Sequence, residues 1–485
     1  MRSLRLGVLA LALSGWTTGT DPPEETRPHD ARSYVAPLES TFEALPGAPA
    51  TFRWAGTLDG AAYRIEVPRS GWNGRLLMWA HGYVGQGSKL VIQEPIMRRH
   101  LIEQGYAWAA SSYRKNNYDV RGGIEDTNAL AQAFTSLAAA NGQTLAPPSA
   151  LFIAGASMGG HIAAAAVERE TLAYARHFVR YSAALPMCGV LGDTEFFNYF
   201  AAYQLAAMQL AGMPARTYPV PDWQDVAPAA KAVLWTSFPA QTTERGRRLM
   251  ALEMNLSGGE RPFFAEGFAD LNAQNNLWRA RNGTLDGVLT TSVVDTRNVR
   301  YRFGDPAAAM SAEETWFNDN VTRAQPDPAA NRLRRDGLRW VPVLNGEFDV
   351  PVLTLHTLGD LYVPLRMEQI YRQRAMAHGS ERWLVQRVVR DVGHCAFTEA
   401  EVVEAFEALV HWVDGGTKPI GDDVLDRQAL AAPDEGCRFT RNQTSPRDLA
   451  GATARAAAQA HYPACPSSPV SGERPTHGPQ AQRAP

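Results

Sequence analysis

The chain of 485 residues has no lysine- or arginine-rich run, and 47 basic residues against 50 acidic ones leave a formal net charge of −3. Such a balance provides no basic surface for nucleic acid. Beyond the N-terminus there is no stretch of about 20 apolar residues, the length a membrane-spanning helix needs. Cysteine is scarce: Cys188, Cys395, Cys437 and Cys465 are the whole complement, and no two stand in a C-x-x-C spacing. Zinc and dithiol motifs are thereby set aside, while an even count suits an exported chain and leaves the pairing open. No internal repeat is present, which removes solenoid architectures.

What remains is an ordinary globular composition, with 45% hydrophobic and 20% charged residues. Arg2 and Arg5 followed by the apolar run Leu6–Gly15 give residues 1–20 the character of a secretory signal. Its one A-x-A site is Ala10-Leu11-Ala12, and Trp16 stands where a lipoprotein signal would carry its cysteine. Export to a periplasmic or extracellular space is the expectation. Residues 21–50, rich in Pro, Glu, Asp and Thr, read as a linker.

From Thr51 the pattern changes to strands and helices in alternation. Ala62–Val67 alternates apolar with polar, whereas Leu76–Ala80 is a continuous apolar run, as in a strand buried on both faces. Further strands are expected at Tyr106–Tyr113, Leu151–Ala154, Tyr181–Val190, Val350–His356 and Arg382–Val389, with helices after several of them, the last over Glu399–Val413. This predicts an α/β fold, a mostly parallel sheet with helices on both faces, formed by residues 51–190 and 347–415. The interval 191–346 is too long for a structureless loop. Its helical, aromatic-rich segments suggest an inserted cap domain over the carboxyl ends of the strands. Residues 416–465 form a C-terminal extension, where a Cys437–Cys465 disulfide is expected, and 466–485 a disordered tail.

Chemistry enters at Gly155-Ala156-Ser157-Met158-Gly159, a G-x-S-x-G element between a buried strand and an alanine-rich helix. That context is the nucleophile elbow, a turn so tight that the positions two before and two after the serine must be glycine. A serine nucleophile needs a base, an acid to orient it and an oxyanion hole. His394 follows the last strand and precedes the last helix, which singles it out from His161, His356 and His411. Asp360 leaves the strand before that one, beside Gly359, and is preferred over Asp349 and Asp391 as the acid. The two backbone donors of the hole are assigned to Met158 and to Tyr83, with Gly82 shaping the second.

The order Ser157, Asp360, His394, together with His81-Gly82, the G-x-S-x-G element and Gly359-Asp360, resembles the α/β-hydrolase superfamily of serine hydrolases. The resemblance implies hydrolysis of a small-molecule or oligomeric ester through an acyl-enzyme, with no metal or organic cofactor. A peptidase, an oligomer depolymerase or an acyltransferase would use the same three residues. Substrate-binding residues and oligomeric state are not legible. The triplet Gly393-His394-Cys395 is similar to that of tannases and feruloyl esterases, in which the cysteine beside the histidine pairs with one preceding the nucleophile. Here Ala156 occupies that second position, so the likeness stops there.

Overall fold

The computed structural model describes residues 25–38, 41–279, 292–442 and 465. The signal-like residues 1–20 and the tail 466–485 lie outside them, as do residues 280–291 of the expected insertion and 443–464 of the extension.

Strands β1 (Thr51–Leu58), β2 (Ala61–Pro68), β3 (Arg75–Ala80), β4 (Ala107–Ser111), β5 (Ala150–Ala156) and β6 (Ala183–Met187) open the main sheet. The short hairpin β7 (Trp235–Ser237) and β8 (Gln241–Thr242) stands apart, and β9 (Val352–Thr357) and β10 (Leu384–Val389) return to the sheet. The order of its eight strands is β1-β2-β4-β3-β5-β6-β9-β10. β2 pairs antiparallel with both β1 and β4, and every other pairing is parallel. The β1–β2 turn is Asp59-Gly60, both residues at positive φ (50° and 88°), as a two-residue hairpin turn requires.

Helices α1 (Arg98–Glu103), α2 (Val120–Ala140), α3 (Met158–Ala165) and α4 (Arg169–Tyr174) belong to the first half of the chain. Between β6 and β9 lie α5 (Glu195–Leu210), α6 (Trp223–Leu234), α7 (Glu244–Leu256), α8 (Phe264–Phe268), α9 (Leu271–Arg279) and α10 (Ala312–Asn320). Helices α11 (Arg366–His378), α12 (Glu399–Val413) and α13 (Arg427–Leu430) complete the described chain. Period-two alternation sends Leu76, Met78 and Ala80 of β3 into a core with Ile124 and Phe134 of α2 and Ile162 of α3. Leu77 and Trp79 face the opposite core, with Leu101 of α1 and Phe406 and Leu409 of α12. Both sheet faces are therefore covered, which explains why the central strands read as unbroken apolar runs. Phe197, Phe200 and Leu205 of α5 and Leu249 and Leu252 of α7 share the first of these cores. The chain between β6 and β9 thus packs continuously with the sheet layer.

The linker expectation for 21–50 fails over the described residues. Arg27 is buried, its Nη1 donating to Asp119 Oδ1 at 2.6 Å, and its guanidinium lies 3.6 Å from the Trp340 ring centre. Phe42 packs on Trp108 in the second core, and Val35 bridges to Lys89. The charged composition looked solvated. Yet Asp119, the buried N-cap of α2, takes its ion-pair partner from this segment.

Candidate active site

β5 ends at Ala156 and α3 begins at Met158, leaving Ser157 alone in the turn at φ 61°, ψ −120°. No broad region for L-residues includes that combination, so the surroundings must impose it. They do so through backbone proximity. A Cβ on Gly155 would strike the carbonyl of Gly159, and one on Gly159 would strike the carbonyl of Ala80 at the end of β3. The second glycine is thus required by the neighbouring strand rather than by the first glycine. Gly160 is as constrained, since a Cβ there would come within 2.6 Å of Gly189 Cα. The serine N–H bonds Met187 O at 3.0 Å, anchoring the turn to β6.

The structure brings Ser157, His394 and Asp360 into one hydrogen-bonded chain. His394 Nε2 lies 2.8 Å from Ser157 Oγ, and His394 Nδ1 lies 2.6 Å from Asp360 Oδ2. The buried carboxylate can only accept, which places the ring proton on Nδ1 and leaves Nε2 free to accept the serine hydroxyl. Asp360 Oδ1 accepts the N–H groups of Tyr362 at 2.9 Å and Val363 at 3.0 Å, so the side chain is fixed on both oxygens. The competing acids stand elsewhere. Asp349 is exposed and 3.6 Å from Arg180, whereas Asp391 accepts the N–H of Gly393 at 2.8 Å and shapes the histidine loop.

The other histidines are held away from the serine. His161 is buried between Tyr118 Oη and Pro342 O, and His356 bonds Val363 O at 3.0 Å. Burial pushes both down to about 4, so they are neutral at pH 7. His411 lies on the exposed face of α12.

At the expected oxyanion hole, Met158 is the first residue of α3, where an N–H has no partner within the helix. Gly82 lies against the elbow. A Cβ there would sit 3.2 Å from Ser157 Cβ and 3.8 Å from Ser157 Oγ, so the backbone preceding Tyr83 borders the serine hydroxyl. His81 Nδ1 is 2.7 Å from Gly82 O, a local brace on the same turn.

Several contacts of the site were not assigned from the sequence. Thr357 Oγ1 donates to Gly393 O at 2.9 Å and ties the histidine loop to β9. The Tyr362 ring stands edge-on to His394, centroids 5.0 Å apart, with Phe196 and Phe200 behind it. Cys188 pairs with Cys395. Because Met187 is in register with Ala156, Cys188 flanks Ser157 from the adjacent strand. The bridge missing at Ala156 is supplied one strand over. The expected pair Cys437–Cys465 is also present. A cavity of about 720 Å³ lies between α5 and α11, and neither Ser157, His394 nor Asp360 lines it.

This strand order, with a strand–serine–helix elbow after β5 and the acid and histidine after β9 and β10, is the α/β-hydrolase fold. No family model matches the chain. A stretch of 74 residues is 34% identical to an o-phthalyl amidase from Xanthobacter agilis, spanning 15% of this chain and 16% of the amidase. Feruloyl esterase B from Aspergillus oryzae is a similar solved structure, with TM-score 0.44 and 13% identity, covering 78% of this chain and 86% of its own. The rice cell wall degrading esterase LipA from Xanthomonas oryzae aligns with TM-score 0.36 and 15% identity, covering 75% of this chain and 90% of its own. No substrate follows from any of them.

Proposed function

We propose that the protein is a serine hydrolase that cleaves carboxylic esters, with Ser157 as nucleophile, His394 as general base and acid, and Asp360 as the orienting carboxylate. The observation that carries this reading is the unbroken chain from Asp360 Oδ2 through His394 to Ser157 Oγ, with the serine held at a conformation of positive φ. His394 takes the serine proton as Oγ attacks the acyl carbon, then gives it to the departing alcohol. The carbonyl oxygen, turning anionic, meets the N–H groups of Met158 and Tyr83. Water activated by the same imidazole then releases the acid. Residues 191–346 serve as a cap that brings Phe196 and Phe200 behind Tyr362, one wall of the reacting cleft. Two disulfides support export, since such bonds persist in oxidising compartments.

A fluorophosphonate probe should label the peptide containing Ser157. Ser157→Ala should lower kcat by about 10⁵–10⁶, on the subtilisin precedent. Undiminished turnover in that variant removes the reading. The short match to an amidase makes an aryl amide the right competitor for the matched ester. Faster cleavage of the amide would replace the esterase with an amidase or peptidase using the same residues.

A further inference from the structure

The cavity between α5 and α11 leaves one charge unanswered. Its volume, about 720 Å³, is in the range that holds a small molecule. Arg366, partly buried in its wall, has one hydrogen bond from its guanidinium, a long one of 3.4 Å to Gln369 Oε1, and no carboxylate within ion-pair distance among the described residues. Neighbouring charges are already paired. Arg374 donates to Asp193 Oδ2 at 2.6 Å and to Leu344 O at 2.9 Å, and Asp295 is gripped by Arg297 at 2.6 and 2.9 Å. Glu195 is exposed at the rim and held by Asn198 Nδ2 at 3.0 Å. With exposed Arg300 also in the wall, the unpaired groups sum to a positive charge. Burial holds the Arg366 pKa below its ordinary value, and the more distant Glu195 offsets only part of that, as for a cation whose counterion is not supplied by the protein. Asn298 and Gln373 add side-chain amides that make no hydrogen bond to the protein among the described residues.

A guanidinium presents a rigid fork of donors matched to a carboxylate, and a partly desolvated fork gains more from one than a hydrated lysine would. Free amides accept and donate to hydroxyl or carbonyl groups. We propose that this cavity binds a small molecule bearing a carboxylate beside hydroxyl or carbonyl groups, the carboxylate seated on Arg366. The site is separate from the serine, and its occupancy does not depend on how Ser157 is used.

Calorimetric titration with glucuronate and with salicylate tests it, with glucose and salicylamide as uncharged controls. At least one acid should bind saturably and its neutral partner far more weakly. Arg366→Gln should weaken the acid at least about tenfold, the scale of one lost charge-assisted pair. Ala377→Trp, which fills the cavity while keeping the charge, should weaken it as well. Both variants should keep the ester turnover and melting temperature of the parent, which shows them folded. The proposal is overturned if neither acid binds, if a neutral control binds as tightly, or if both variants bind the acid like the parent.

Discussion

The turn that carries Ser157 is built by its neighbours in sequence and the two strands beside it, whereas the loop that carries His394 is tethered from distant parts of the chain. At the serine, glycines at 155, 159 and 160 let three stretches of backbone approach within van der Waals contact, and the serine side chain makes no capping hydrogen bond to α3. At the histidine, backbone contact (Gly359 N–H donates to Asp391 O at 2.8 Å) is joined by side-chain and covalent links. Thr357 holds Gly393, Asp360 holds the ring, Asp391 folds the loop, and a disulfide runs to Cys188, 207 residues away in sequence. The serine turn is therefore specified by close packing of backbone, and the histidine loop by side-chain and covalent links added to it. Damage to the first should be all-or-none, and damage to the second graded.

The largest graded effect should come from Asp360→Asn. The amide would offer an N–H to the ring nitrogen that now donates, favour the wrong tautomer and lower kcat by about 10⁴ with the fold intact. Matched variants at Asp349 and Asp391 separate the two kinds of support. Asp349→Asn should be silent, because that carboxylate is exposed and only loosely paired. Asp391→Asn should cost far less than Asp360→Asn, since an amide oxygen can still accept the Gly393 N–H. If Asp391→Asn were the crippled protein, the loop and the orienting acid would have exchanged roles.

The same asymmetry explains what could be read in advance. The elbow, the buried strands and the helix Glu399–Val413 were legible because each follows from residues within a few positions of one another. The position of Asp360 beside His394 was legible for a related reason, as it leaves a recognisable strand beside a glycine. The pairing of Cys188 with Cys395 was not, because it follows from the β5–β6 register that sets Cys188 beside Ser157. The docking of Arg27 was hidden likewise, because the charge it answers, Asp119, is 92 positions away.

Removing the Cys188–Cys395 bridge should produce a middle-sized effect. The double variant to alanine should lose about 3 kcal/mol of stability, the typical measured effect of one disulfide, and kcat should fall about ten- to a hundredfold as His394 drifts from the serine. The double variant at Cys437 and Cys465 should lose stability with a smaller change in kcat, because the segment around Cys437 packs on Leu358 and Arg390 and touches His394 only through that strand end. Urea unfolding and steady-state kinetics on both proteins make the comparison. Full kcat after loss of Cys188–Cys395 would show that Thr357 and Asp360 suffice to place the ring.

The smallest effect on kcat concerns the rear of the acid loop, where proton counting decides the outcome. Tyr199 Oη contacts both Leu361 O, at 2.8 Å, and Glu253 Oε1. A phenol has one hydrogen, so two bare acceptors cannot both be served. A protonated Glu253 resolves this by donating to Tyr199, which then donates to Leu361 beside Asp360. Burial raises Glu253 from 4.5 to about 8, in agreement. Above pH 4.5 the unfolded chain has released this proton while the folded chain keeps it. The stabilisation is thus complete below 4.5 and is lost as pH rises towards about 8, at about 1.4 kcal/mol per pH unit. Glu253→Gln supplies a permanent donor to Tyr199 and removes the titration. Its unfolding free energy should fall less steeply with pH than the parent's across that window, by about that slope, with kcat nearly unchanged near neutrality. Parallel curves for the two proteins would mean that Glu253 is ionised in the folded state and that Leu361 O is left without the tyrosine's hydrogen.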